Sequence, residues 1–313
     1  MTDGNSSVVH PSVFILVGIP GLESFHVWIA IPYCLMYIIA LVGNCLILYC
    51  VKVEPSLHQA MYFFLCMLSL VDLALSNTTI PKMLGTLWFN SGEIHFEACI
   101  TQMYFIHTLA GLESATLLAM SYDRYIAICN PLRYTAILTN SVIVKIALAA
   151  SIRSFIPTLP LPYLLTRLSY CQSNTVNHAY CEHMAVARLS CTDISINIFY
   201  GLVVALFIGL VDVILILLSY FLILRAVFQL SSRDARIKAF STCGAHVCAV
   251  LVFYVPDILS IIVYRVGKSV PPHIHILIVN LYMMAPPMIN PIVYGVKTKQ
   301  IRERVLKMFR RWN

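Results

Sequence analysis

Charge is what this chain has least of. Only 11% of its 313 residues are Asp, Glu, Lys or Arg, while 59% are apolar; a soluble protein carries about 25% charged residues. So few charges cannot coat a water-facing surface of this size, which excludes a cytosolic globular enzyme and a disordered chain. The long apolar segments lack alternation with period two, which excludes the strands of a membrane barrel. No Gly-x-Ser-x-Gly, His-Glu-x-x-His or P-loop pattern occurs, so the usual hydrolase, zinc-peptidase and nucleotide chemistries have no motif to stand on. Histidine and cysteine do not gather at metal-ligand spacing either, and no metal centre is expected. An enzyme is therefore not expected.

What the chain does have is long apolar runs. Seven are long enough to cross a bilayer as helices, which takes about 20 residues each: residues 27–51, a run from near Met61 past Pro81, then 100–122, 146–165, 194–224, 239–264 and 269–296. The fold class expected is an all-α membrane protein. A seven-helix bundle spans residues 27–296, after an N-terminal segment of residues 1–26 and before a tail of residues 297–313. In the tail, Ile301, Val305, Phe309 and Trp312 recur among lysines and arginines. That is the pattern of a short amphipathic helix lying on an anionic membrane surface.

The basic residues orient the bundle. Lys52, Arg124, Arg133, Lys145, Arg225, Arg233, Arg236 and Lys238 fall between segments one and two, three and four, or five and six, and the tail adds more. By the positive-inside rule the N-terminus lies outside and the tail in the cytoplasm of a multi-pass plasma-membrane protein. The net charge of +7 gathers on that inner face, so it calls for no nucleic-acid partner. The sequon at Asn5 falls outside and is the expected glycosylation site, whereas the one at Asn77 lies within segment two. No cleavable signal peptide is read, and segment one is expected to serve as the insertion signal. Of eleven cysteines, Cys99, Cys171, Cys181 and Cys191 lie on the outer side, where disulfides form. Spacing leaves their three possible pairings open.

Two motifs bear on function. Asp123-Arg124-Tyr125 ends segment three, where an arginine either latches to its neighbouring acid or simply snorkels to the interface. Asn290-Pro291-Ile292-Val293-Tyr294 ends segment seven, and its proline removes a backbone hydrogen bond and kinks the helix. With Asn44 in segment one and Asp72 in segment two, this ordered set resembles the rhodopsin-like G-protein-coupled receptors. Met61-Tyr-Phe-Phe-Leu, Met120-Ser-Tyr-Asp-Arg-Tyr-Ile-Ala-Ile-Cys129, Lys238-Ala-Phe-Ser-Thr-Cys243 and Pro286-Pro-Met-Ile-Asn-Pro291 resemble odorant receptors more narrowly. Leu16-Val-Gly-Ile-Pro-Gly21, Ile80-Pro-Lys-Met-Leu84 and the stretch around His107 resemble their class I, fish-like branch, and the likeness covers essentially the whole chain. Two departures stand out: Ala60 replaces the usual proline before Met61-Tyr62, and Tyr254 stands where other rhodopsin-like receptors often carry tryptophan, as is normal for odorant receptors.

The resemblance implies sensing of small odorants and signalling through a stimulatory heterotrimeric G protein that raises cAMP. It implies activation and coupling roles for Asp123, Arg124, Tyr125, Tyr220, Lys238, Asn290, Pro291 and Tyr294. It also implies the pairings Cys99–Cys181 and Cys171–Cys191. Class I receptors are associated with water-soluble acids, and by resemblance Arg265 anchors the ligand's carboxylate, for which a guanidinium fork is suited. The alternatives are an arginine that merely ends its helix, and a receptor for non-acidic volatiles. Helical spacing puts Tyr104, His107, Thr108 and Gly111 on one face, with Gly111 leaving room below polar groups; a plain core histidine is the alternative at His107. Ile258, Ile261 and Ile262 on segment six, with Val203, Val204 and Phe207 on segment five, are expected to line an acyl chain. Each buried methylene would then contribute about 0.8 kcal/mol.

Asp72 and Glu113 place two carboxyls inside the bundle near Asn44, which suits either a sodium ion or a hydrogen-bonded pair with one carboxyl neutral. No other cofactor is expected. The same two acids could serve a cation- or proton-coupled transporter, but neither an internal repeat nor a glycine-rich helix break is present. A retinal pump is excluded because segment seven has no lysine before Lys297. Arg153, Asp212 and Asp257 are further intramembrane charges without an assigned role.

Overall fold

A computed structural model describes residues 10–171, 173–229, 232–266 and 271–310, apart from some side chains within helices. The side chains of Lys238, Ile261, Ile262, Arg265 and Phe309 lie outside the described residues, as do Asn5 and Trp312. In lipid every backbone N–H and C=O must be satisfied within the protein, and apolar runs of this length without alternation do so as helices. Seven long ones are described: α1 His26–Val53, α2 Ala60–Phe89, α3 Phe96–Cys129, α4 Asn140–Thr166, α5 Ser195–Gln229, α6 Arg233–Val266 and α7 Pro272–Lys297. Six of them contain a window apolar enough to span a membrane. The seventh, α3, carries Glu97, Glu113, Asp123 and Arg124 and runs through the middle of the bundle, packed on α2, α4 and α5.

Local chemistry sets the ends. Thr139 caps α4 by accepting from the Val142 N–H at 3.4 Å, as hydroxyl side chains do at helix starts. Asn90 ends α2 in the left-handed region at φ 53°, a conformation asparagine tolerates. One irregularity lies inside a span: residues Leu206–Leu210 of α5 form a single π-helical turn.

After α7, helix α8 covers Lys299–Arg310. Its apolar stripe meets the bundle rather than lipid at Ile301, which is fully buried, and at Val305, which packs against the core at the basic end. That core gathers Leu68, Met120, Ile216, Phe253 and Tyr294.

The opposite end holds the two disulfides and a feature the all-α expectation did not include, a small sheet. Strand β1, Val13–Leu16, lies between β2, Glu93–His95, and β3, Thr175–Val176. It pairs antiparallel with β2, Val13 opposite His95, and parallel with β3, Ile15 opposite Thr175. The N-terminal strand thereby joins the α2–α3 loop to the α4–α5 loop. Gly92 is required beside it, because a Cβ there would strike the Leu16 carbonyl oxygen. Below the sheet, Val176, His178, Ala179, Tyr180 and Cys181 are all buried, so the α4–α5 loop descends into this end of the bundle.

Candidate functional site

Both disulfides occur as the resemblance implied. Cys99 at the start of α3 joins Cys181 of the α4–α5 loop with Cα atoms 5.4 Å apart, and Cys171 joins Cys191 within that loop at 5.9 Å. The first holds the buried loop over α3, where Gln102 accepts from the Cys181 N–H at 3.0 Å. Glu182 caps the short helix His183–Ala187, accepting from the Ala185 N–H at 2.6 Å.

This loop brings histidines over the bundle. His107 on α3 faces His183 with ring centroids 6.2 Å apart, and His178 stacks edge-on against Tyr180 at 4.4 Å. Burial pushes His178 down to about 3 and His183 down to about 4, so both imidazoles are neutral at pH 7. Each then offers one N–H donor and one acceptor. Both ring nitrogens of His178 and the Nε2 of His183 are buried without a partner among the described residues.

The face shared by Tyr104, Thr108 and Gly111 exists, but it points at α4 rather than at an open space. Thr108 bonds Thr158 at 2.7 Å, Tyr104 packs on Phe155 at 6.5 Å, and the place of a Cβ on Gly111 lies 3.4 Å from Ile208 and 3.5 Å from Ser154. His107 alone of the group turns toward the loop. Val204 is buried as expected, but Phe207 is 51% exposed on the lipid side and Ile258 45%. Val203 is likewise turned outward. The π turn accounts for Phe207: α-helical spacing lets the residues three and four on from Val204 share its face, but the wider turn brings only Ile208, four on, inward. For Ile258 the reason is phase, since it lies about a quarter turn from the face that Phe253, Tyr254 and Asp257 share and so points to the side of α6.

Midway along the bundle lies a relay that sequence reasoning missed. Arg153 of α4 donates from both terminal nitrogens to the two oxygens of Asp212 on α5, each at 2.6 Å. Ser114 of α3 lies 2.5 Å from the same carboxylate, and Tyr254 of α6 lies 2.7 Å from Ser114. A carboxylate only accepts, so Ser114 donates to Asp212 and the Tyr254 hydroxyl must donate to Ser114. One chain of bonds thus joins α4, α5, α3 and α6. The signal was there in two opposite charges, each at the middle of its span.

Nearer the basic end, Asn290 donates to Asp72 at 3.1 and 3.4 Å, and Asn44 donates to the Pro287 carbonyl at 2.9 Å. The carbonyl freed by the proline kink is thereby satisfied from α1. Gly43 permits the approach, because a Cβ there would lie 2.7 Å from Pro291. Glu113 is buried with neither carboxyl oxygen partnered among the described residues.

At the basic end Arg124 reaches Asp123 through Nε at 3.4 Å only, while Asp123 accepts a 2.6 Å bond from Tyr134 of the α3–α4 loop. Around them is a recess of about 330 Å³ lined by Tyr62, Asp123, Arg124, Ala127, Pro131 and Tyr134. Tyr125, like Tyr220, packs against the cluster of Ile223, Val227 and Cys243. Tyr294 is buried, its hydroxyl without a partner among the described residues. Tyr220 is held by His246 of α6, OH to Nδ1 2.6 Å, and His246 Nε2 lies 2.9 Å from the Leu117 carbonyl oxygen of α3. A carbonyl only accepts, so Nε2 carries a proton and donates to it, while Nδ1 and the Tyr220 hydroxyl share the other bond. His246 therefore ties α6 to α3 and α5, a role no motif in its neighbourhood announced.

Comparison with known proteins is consistent across sequence and fold. A family model described as Olfactory receptor matches residues 33–311. Olfactory receptor 52K1 of Homo sapiens is 52% identical over 313 residues, covering all of both chains. Olfactory receptor 52B2 of Homo sapiens is 53% identical over 309 residues, 99% of this chain and 96% of that one. Among solved structures, squid rhodopsin superposes with a TM-score of 0.74 at 17% identity, over 93% of this chain and 87% of that chain, a likeness of fold alone.

Proposed function

The chain belongs to the olfactory receptor family of rhodopsin-like G-protein-coupled receptors, and from that premise we propose that its ligands are small carboxylic acids and its output a rise in cAMP through a stimulatory G protein. It is a multi-pass membrane receptor for small molecules, coupled to a heterotrimeric G protein, and not an enzyme. The finer reading sets the N-terminus and disulfide end outside the plasma membrane and the basic end in the cytoplasm, with Asn5 glycosylated.

One observation carries the acid assignment: the loop end presents buried, neutral imidazoles, and both ring nitrogens of His178 and the Nε2 of His183 lack partners among the described residues. They supply N–H donors that suit acceptor oxygens. Arg265 near the end of α6 supplies the positive charge that a carboxylate needs. His107 and Val204 stand beneath them, and chain length sets affinity through buried methylenes.

Ligand capture at this end biases α6, which Pro256 lets pivot. The Tyr254–Ser114 bond and the His246–Leu117 bond hold α6 against α3. Releasing them frees Tyr220 and opens the recess at Arg124 to the G protein, with Tyr125 and Lys238 in the coupling roles the family likeness implies, while Asn290, Pro291 and Tyr294 let α7 adjust. Glu113, Asp72 and Asn290 are an all-oxygen donor set of the kind a hard cation takes. Sodium bound there would offset one buried negative charge, with the second carboxyl protonated, and the orphaned oxygens of Glu113 fit that role.

The test is a cAMP assay against straight-chain carboxylic acids with the matching alcohols as controls. Acids are expected to signal and alcohols not, and Arg265→Ala to abolish the acid response at unchanged surface expression. An unaltered dose–response in that variant refutes the carboxylate anchor and leaves the family membership standing.

A further inference from the structure

At the basic end a cleft of about 450 Å³ opens between α5 and α6, and its lining is almost wholly apolar. Leu217, Leu224, Phe240, Val247 and Leu251 border it and are 36–63% exposed, so the cleft faces out of the bundle into the lipid. Gly244 keeps it open: a Cβ there would meet no atom within 4 Å. Such a volume takes a hydrocarbon chain rather than a whole lipid.

The stripe that lines the cleft on α6 continues past it. Leu251, Val247, Gly244 and Phe240 follow at spacings of three and four residues, and the same spacing leads on to Arg236 and Arg233 at the mouth. Arg233 is exposed, and Arg236 donates to the Phe228 carbonyl of α5 at 3.4 Å, which fixes it across the gap. Exposed Arg225 lies near the end of the neighbouring helix α5. Asp234, between the two arginines in sequence, sits a residue off the stripe.

We propose that this cleft is a binding site for an anionic phospholipid, one acyl chain lying between α5 and α6 and the phosphate held by Arg233 and Arg236. The cleft opens sideways between two membrane helices, so only a molecule dissolved in the bilayer reaches it. Its apolar wall meets a basic rim at headgroup level, the combination that selects anionic over zwitterionic lipid. The site touches both α5 and α6, so a swing of α6 alters its seat. Nothing in it depends on the acidity of the odorant.

The full chain in phosphatidylcholine nanodiscs, doped with diazirine-acyl phosphatidylserine or diazirine-acyl phosphatidylcholine, tests the proposal by photolabelling and peptide mapping. The serine lipid is expected to label residues 217–227 and 240–251 above the choline lipid. Arg233→Gln with Arg236→Gln should cut that preference about fivefold per arginine. Gly244→Leu should block labelling of these segments by both probes while α1 is labelled as before, which reports intact folding. Equal labelling by the two lipids, or variants labelled like the parent chain, overturns the site and leaves only annular lipid.

Discussion

Replacing Arg153 by methionine should destabilise the receptor far more than replacing Arg153 and Asp212 together. Asp212 is fully buried at the middle of its span and accepts three bonds, two from Arg153 at 2.6 Å and one from Ser114 at 2.5 Å. Removing the guanidinium leaves a buried carboxylate with one neutral donor. Breaking such a pair costs about 3–5 kcal/mol, roughly two to three and a half powers of ten in the folded ratio. Arg153→Met with Asp212→Leu removes both charges and fills the space with apolar atoms, a change that is often neutral or stabilising. Ser114 then keeps its bond to Tyr254, so α6 stays tied. Thermal unfolding of the purified protein in detergent, together with surface expression, gives both numbers. A double variant as unstable as the sum of its single variants would refute the reasoning, because the cost would then lie in lost packing and not in a stranded charge.

The α4–α5 loop should weaken in acid. The folded pKa values of His178 and His183 lie below the ordinary histidine value, so as pH falls from about 6.5 toward 4 the unfolded chain takes up protons that the folded loop refuses, and stability is lost over that window. His178→Gln with His183→Gln should flatten a melting curve measured against pH, and an unchanged slope would place the acid sensitivity elsewhere. Gly43→Val should separate α1 from α7 at Pro291, costing about 1–3 kcal/mol in thermal stability; a wild-type melting point there would mean that the two helices yield freely.

The bundle was legible because lipid leaves the backbone only helices or a closed barrel, and apolar runs of about twenty residues without alternation state the first openly. The polar anchors Asn44, Asp72, Asn290 and Pro291 do converge, and the disulfides pair as the family likeness implied. Other features had no signal of their own. The sheet rests on a four-residue strand, β1, whose partners lie far along the chain. Arg153 and Asp212 were visible as charges, but only the packing of α4 beside α5 makes them one pair. Tyr134, His246 and Ser114 matter through contacts across helices, which periodicity within one helix cannot report. Phe207 failed for a different reason, the change of pitch at Leu206–Leu210.

That change of pitch has a wider consequence. An α-helix advances about 100° per residue, so one additional residue in α5 re-aims everything beyond it. Val204 before the bulge and Asp212 after it both look inward only because of this offset. Deleting a single residue from the bulge would set the two halves of α5 at odds: keep the upper half seated and the carboxylate rotates away from its arginine. Length, which loops can ordinarily gain or lose, is here as strict a requirement as side-chain identity.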